Sequence, residues 1–238
     1  MLNLHPDVAF GLERYKFSIL LRGELDAGMF QRQRFFAPQA SETNLLPERF
    51  GGVALHYKAL EDKFDAVKVV GDKIPHIAKF YPEIRECFSD ARVIHLVREP
   101  TAVARSWERR AADPDDPWKA HVGAVTAIRR WMNENRLAMR FHREFPESIS
   151  IISYEGLFGE DSTTLEHVHE FLGISAPTEK QLVAQAEGAA MVGGKKFGEL
   201  GPKPEGVEPA RWEKLELMMR RLHNRIAPRR GPFVPPKA

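Results

Sequence analysis

The sequence predicts an α/β fold, a mostly parallel sheet flanked by helices, and three observations point to it. Short β-like runs recur as "DAVKVV" (65–70), "RVIHLV" (92–97) and "SISIIS" (148–153). Amphipathic stretches with helical spacing separate them, the pattern of crossover connections between parallel strands. With 238 residues, 43% hydrophobic and 29% charged, the chain is long enough to bury one sizeable core. A single domain over residues 1–238 is therefore expected, with a loose tail from about residue 226.

The connecting segments follow in order. After the first run, "PHIAKFYPEIRECF" places Ile77, Phe80, Ile84 and Phe88 at helical spacing, opened by Pro75 in a first-turn position. A further helix is expected to begin near Pro100, after the second run. Between the second and third runs, Asp116 and Pro117 form a start signal, and Val122, Val125, Ile128 and Met132 share one face of a long helix. Beyond the third run, Leu165, Val168, Phe171 and Leu172 form one stripe that stops at Gly173. Residues 193–209 turn to Gly, Pro, Lys and Glu and read as a long loop, followed by a basic amphipathic helix around 212–225.

Composition excludes several classes. Thirty-five basic against thirty-three acidic residues leave a formal charge of +2, so no global field draws the chain to nucleic acid or a membrane surface. An anion site must be local. The basic end carrying Arg220, Arg221, Arg225, Arg229 and Arg230 reads as a solvated face. The lone Cys87 cannot form an internal disulfide and reads as a buried, inert thiol. No apolar run has the length of a membrane span, and "MLNLHPDVAF" lacks the pattern of a secretory signal. A cytoplasmic protein without stable membrane insertion is expected, and homo-oligomerisation is left open.

Ligands of open parallel sheets bind beyond the carboxyl ends of the strands. There the three runs continue as "GDKIP" with Lys73, "REP" with Arg98 and "YEGL" with Tyr154. Two cations and a phenol at strand ends suit a phosphorylated or sulfated ligand, because guanidinium pairs with such oxygens and ammonium supplies a point charge. Ser106, on the second turn of a helix beginning near Pro100, adds a neutral donor.

These residues resemble the sulfotransferase family. "VREPTAVARSW" is similar to its 3'-phosphate-binding segment: an arginine, a proline two positions on, and a serine eight after the arginine. "GDKIPHI" resembles the lysine loop before it, and "SYEGL" with "TLEHVHEFLGI" resembles the strand, turn and helix that follow. The resemblance implies transfer of a sulfuryl group from 3'-phosphoadenosine 5'-phosphosulfate to a hydroxyl or amine. It implies that Arg98 and Ser106 hold the 3'-phosphate, that Tyr154 supports it, and that Lys73 stabilises charge on the sulfuryl oxygens. "HPDVAFGLERYKF" looks like a segment of protein-tyrosine sulfotransferases in which a glutamate two positions after a glycine acts as base, matching Gly11 and Glu13. His76, beside the lysine loop, is the alternative base. Lys195 and Lys196 resemble in position a segment that closes over the nucleotide. No metal is expected, since the sulfuryl group carries less charge than a phosphoryl group and no acidic cluster has ligand spacing. His167 and His169, two apart on a helix, are poor joint ligands. The acceptor is left open among small molecules, carbohydrates, lipids and tyrosyl peptides.

One departure bears on activity. The family resembles P-loop proteins in opening with a strand, a glycine-containing loop of the kind "RSGTT" and a helix whose amides hold the 5'-phosphosulfate. No such loop is found, and "MLNLHPDV" looks like the end of the helix that follows it. The first strand and loop are therefore expected to be missing, leaving a gap beside the strands near Ala66 and Arg92, or one filled by "RYKFSILL" or a second chain. That gap favours an alternative function, a non-catalytic 3'-phosphonucleotide-binding protein. A nucleotide kinase is disfavoured by the lack of a Gly-Lys-Ser/Thr loop.

Overall fold

A computed structural model of the chain describes residues 1–116, 123–159, 161–192, 197–198 and 200–228. The chain divides into two compact units, one formed by residues 1–92 and 169–184, the other by 93–168 and 185–238. Each is built on a pair of parallel strands with helices around it, as the α/β prediction requires.

In the first unit, a 3-10 turn at Leu2–Leu4 leads into β1 (Val8–Leu12), α1 (Lys16–Arg22), α2 (Arg32–Phe35) and α3 (Gly51–Glu61). β2 (Val69–Lys73), a 3-10 turn at Ala78–Phe80 and α4 (Tyr81–Cys87) follow. β1 and β2 run parallel, with Val8 opposite Val69 and Leu12 opposite Lys73. β1, "VAFGL", is a strand that the sequence reading did not name; among the described residues it pairs with β2 alone, while β3 pairs with β4, so it does not supply the strand expected to be missing beside both β2 and β3. "RYKFSILL", expected as a strand that could fill the gap, forms the helix α1 instead. Val8 and Ala9 are both fully buried, so the strand has no polar alternation to mark it. The core beneath is rich in aromatics: Tyr15, Phe35, Tyr57 and Phe64 are buried together with Ile19, Met29, Val53 and Leu60. Ile77, Phe80 and Phe88 pack against them, but Pro75 opens no helix: Ile77 precedes the 3-10 turn, Phe88 follows α4, and the proline in the first turn of α4 is Pro82.

In the second unit, β3 (Val93–Val97) leads into α5 (Pro100–Ala112) and α6 (Ala124–Glu144). β4 (Ile149–Ser153) continues directly into the short α7 (Tyr154–Leu157). α8 (Thr163–Leu172) and α9 (Glu179–Val192) are each divided between the units, since residues 169–184 belong to the first, and α10 (Pro209–His223) completes the order. β3 and β4 pair in parallel, Val93 opposite Ile149 and Val97 opposite Ser153. α6 corrects one expected face. Its buried stripe is Ala124, Ala127, Ile128, Trp131, Asn135, Ala138 and Phe141, while Val125 is exposed and Val122 lies outside the described residues. Trp131 and Phe141 carry more apolar area than Val125, and the helix turns to bury them. α8 ends at Gly173 with φ +70°, the left-handed termination read from the sequence. Near the other end, Ile226 is buried and the Ala227 amide donates to the Ile151 carbonyl at 2.8 Å. The rest of the expected tail, 229–238, lies outside the described residues.

One buried group makes stability depend on pH. His95 on β3 donates from Nε2 to Asn135 Oδ1 at 3.0 Å. Burial pulls its pKa down to about 4, and the Asn135 hydrogen bond opposes this only in part. The folded state thus keeps the ring neutral. Its contribution is complete above pH 6.5, is lost as pH falls from there, and has gone once pH passes through about 4. The span corresponds to roughly 3 kcal/mol. Urea unfolding at pH 7 and pH 4 should show His95→Gln losing less stability on acidification than the wild type by about that amount. Equal acid sensitivity would show that the histidine does not carry the effect.

Candidate functional site

The turn joining β1 to α1 carries the first group of candidate residues. Glu13 sits at its apex with φ +52°, a left-handed conformation that favours glycine. Its amide donates to the Lys73 carbonyl at 3.0 Å. Its carboxylate is held from two sides, by Lys73 Nζ on Oε1 at 3.0 Å and by Lys16 Nζ on Oε2 at 2.6 Å. Burial pushes the Glu13 carboxyl up, but the two lysine hydrogen bonds and charges outweigh it and hold the pKa below the usual glutamate value. Glu13 is thus ionised at neutral pH. Lys73 is the more exposed partner, with 61% of its side chain exposed against 26% for Lys16. The two residues chosen as base and sulfuryl stabiliser are therefore in direct contact. His76 lies three residues beyond Lys73, half-buried on the turn after β2, also with a positive φ of 60°.

The next residues explain how the turn is held. Arg14 is fully buried. It donates to Glu42 Oε2 at 2.6 Å and to the carbonyls of Phe35 at 3.0 Å, Arg34 at 2.6 Å and Ala37 at 3.1 Å. The amide of Tyr15 donates to Asp72 Oδ2 at 2.9 Å, that of Lys16 to the Glu13 carbonyl and that of Phe17 to the Glu42 carbonyl. Burial raises the Asp72 carboxyl to about 6, against the pull of the Tyr15 and Arg14 amides and the Arg14 charge. The turn after β1 has no glycine and its amides are already engaged inside the protein, so it is not a glycine-containing phosphosulfate loop of the kind expected to be missing. Sequence reading passed over Lys16, Arg14 and Asp72. The signal for Lys16 was its spacing of three from Glu13, one helical turn away; nothing local marked the other two.

In the second unit, Arg98 follows β3 and Tyr154 follows β4, so the register of the strand pair brings them together. The Arg98 guanidinium lies 4.8 Å from the centre of the Tyr154 ring. Arg98 is exposed and makes no close ion pair among the described residues, although its charge acts on the Glu155 carboxyl, where it opposes the rise in pKa that burial causes. Its carbonyl accepts from Trp131 Nε1 at 2.8 Å, which fixes the backbone and leaves the guanidinium open to an anion. Glu99 caps α5 with its own carboxylate, accepting from the amides of Thr101 and Ala102. Its amide donates to Glu155 Oε1 at 2.9 Å. Burial raises the Glu155 pKa, with the neighbouring Glu99 charge adding to the effect. Gly156 is required here, because a Cβ would lie 2.6 Å from Ser153 Oγ, the atom that caps α7. Ser106 lies half-buried on the second turn of α5. Lys195 and Lys196 lie outside the described residues.

The sulfotransferase family profile matches residues 1–178, three-quarters of the sequence and the whole of the stretch from Glu13 to Tyr154. The chain belongs to the sulfotransferase family. No curated protein matches it. Among solved structures it is similar to a sulfotransferase domain from the curacin biosynthetic pathway, with 18% identity, a TM-score of 0.41, and coverage of 75% of this chain and 76% of that one.

Other sequence candidates in this sulfotransferase-family chain have structural partners. His167 pairs with Ser150 Oγ at 2.8 Å, and His169 Nδ1 with the Ser175 carbonyl at 2.7 Å, so the two rings serve different contacts. Cys87 is half-buried rather than fully buried. Burial, with the nearby charges of Asp26 and Glu86, raises its pKa, which disfavours the reactive thiolate. Among the described residues no helix is long and apolar enough to cross a membrane, and no cluster of His, Cys, Asp and Glu could hold a metal ion.

Proposed function

We propose that the chain transfers a sulfuryl group from 3'-phosphoadenosine 5'-phosphosulfate to a hydroxyl or amine of an acceptor. The observation that carries this reading is the Glu13 carboxylate clasped by Lys73 and Lys16 on the turn after β1. In the ligand-free protein the lysines suppress its basicity. When the exposed Lys73 swings to the sulfuryl oxygens, Glu13 loses a cation and its pKa rises, so the base strengthens as the donor arrives. The acceptor oxygen or nitrogen attacks sulfur, its proton passes to Glu13, and the bond from sulfur to the bridging oxygen breaks. Adenosine 3',5'-bisphosphate leaves with the bond electrons. Lys73 stabilises the charge that gathers on the sulfuryl and bridging oxygens during transfer. Arg98, with Ser106 and Tyr154, takes the 3'-phosphate, and Lys195 and Lys196 are assigned to nucleotide closure. The acceptor class covers small molecules, carbohydrates, lipids and tyrosyl peptides, in a cytoplasmic setting and without nucleic acid.

The test is sulfate transfer from labelled donor to a panel of those four acceptor types. Labelled product that disappears with Glu13→Gln supports the reading. A second reading is favoured by the amides of the β1–α1 turn, which are already bonded within the protein: the chain would bind the 3'-phosphonucleotide without catalysis. Tight donor binding with no transfer to any acceptor would select it. Arg98→Ala distinguishes both from a site elsewhere. It should weaken adenosine 3',5'-bisphosphate by roughly 1.5 to 3 kcal/mol and leave AMP binding nearly unchanged. Parallel losses for the two nucleotides would remove the 3'-phosphate role.

A further inference from the structure

The backbone at Glu13 raises a question that its own contacts only half answer. A glutamate at φ +52° is disfavoured by its Cβ, and such a conformation persists only where the surroundings over-determine it. Lys73 supplies one restraint, through its carbonyl and its ammonium group. The other comes from the preceding residue of β2. Asp72 places its carboxylate under the turn, with Oδ2 accepting from the Tyr15 amide at 2.9 Å and the Arg14 amide also favouring its ionised form. β1 makes room for it. A Cβ on Gly11 would lie 3.0 Å from Asp72 Oδ1 and 3.1 Å from Arg14 Cβ, so the glycine lets carboxylate and turn approach.

This arrangement is costly in isolation. Asp72 Oδ1 is buried with no partner in hydrogen-bonding geometry among the described residues, which makes burial of the side chain there unfavourable by itself. The charged and polar groups facing Asp72 are Arg14, Tyr15, Tyr57 and the Lys73 amide. None of them needs a carboxylate for its own satisfaction: Arg14 is bonded to Glu42 and three carbonyls, and the Tyr15 hydroxyl donates to Met29.

We propose that Asp72 is a positioning residue, whose carboxylate holds the turn after β1 in the conformation that delivers Glu13 to Lys16 and Lys73. The adjacent residues Asp72 and Lys73 then act as one device, the first grasping the amides beyond Glu13 and the second grasping Glu13 itself. Asp72 touches neither donor nor acceptor in this role. Its value for catalysis rests on the reading of Glu13 as the base, but the positioning itself does not.

The experiment uses the full chain as wild type, Asp72→Ala and Asp72→Asn, with carbon-13 NMR titration of the Glu13 carboxyl and hydrogen exchange at the Tyr15 amide. In the wild type Glu13 should titrate below ordinary glutamate. In Asp72→Ala it should return to the ordinary range, and Tyr15 exchange should speed by about tenfold or more. Asp72→Asn, which keeps an acceptor oxygen, should restore most of both. Gly11→Ala, which drives a Cβ into the carboxylate, should reproduce the alanine result, and it carries the test if Asp72→Ala does not fold. An unchanged Glu13 titration with an unchanged Tyr15 amide in a folded Asp72→Ala or Gly11→Ala overturns the proposal. In the transfer assay Asp72→Ala should lower kcat with acceptor KM unchanged. Absence of transfer by the wild type would sink the catalytic reading while the NMR result still decides the role of Asp72.

Discussion

Glu13→Gln should lower kcat for sulfuryl transfer by about 10² to 10⁴-fold, the usual effect of removing a general base. The glutamine is nearly isosteric and keeps an oxygen for one lysine, so the fold should survive. Donor affinity should hold or tighten, because the carboxylate that competes with the donor for Lys73 and Lys16 is gone. The pattern of a large fall in kcat with no loss of donor binding separates a base from a binding residue. Undiminished turnover would move the role to His76, the other proton acceptor on this side of β2. A fall in kcat matched by loss of donor affinity would instead mark Glu13 as part of the donor site.

Arg14→Met should be the most destabilising single change in the first unit, by about 3 to 5 kcal/mol. The buried guanidinium satisfies Glu42 and three carbonyls between residues 34 and 42, and methionine of similar length supplies none of those donors. The loss comes less from the ion pair than from the carboxylate and carbonyls left behind without partners. Urea unfolding should therefore show Glu42→Gln in the Arg14→Met background recovering part of the loss, through a positive coupling between the two sites. A loss below about 1 kcal/mol would mean that water reaches the cluster and that Arg14 is not a structural keystone of the turn.

The second unit was the more readable in the sequence. β3 and β4 are short, β-branched and bounded by polar residues, so Arg98 and Tyr154 could be placed at strand ends from composition alone, and the parallel register then puts the guanidinium over the ring. α8 was marked by its apolar stripe and by Gly173. β1 was not readable, because its five residues are too few to show a period and "MLNLHPDV", which runs into it, was read as the end of a helix. β2 was read four residues early at its start: Lys68 and Asp65 look like strand alternation, whereas the ladder begins at Val69, where pairing to Val8 is available. The helix of α9 was passed over because its composition, rich in Ala, Gln and Glu, gives a weak apolar stripe. Val125 was misassigned because periodicity ranks neighbouring faces of a helix almost equally, and the larger Trp131 settles the choice. At the site, charge and spacing revealed the cations. The buried partners Arg14 and Asp72 could not be found that way, since their roles depend on groups 20 to 57 positions distant in sequence.

Isothermal titration of the wild-type chain with adenosine 3',5'-bisphosphate and with AMP tests the central claim most directly, because it needs no knowledge of the acceptor. The Arg98, Ser106 and Tyr154 assignment predicts that the bisphosphate binds more tightly than AMP by at least about tenfold, which corresponds to 1.4 kcal/mol from the single added phosphate. Equal affinities, or no binding of either nucleotide, would contradict it.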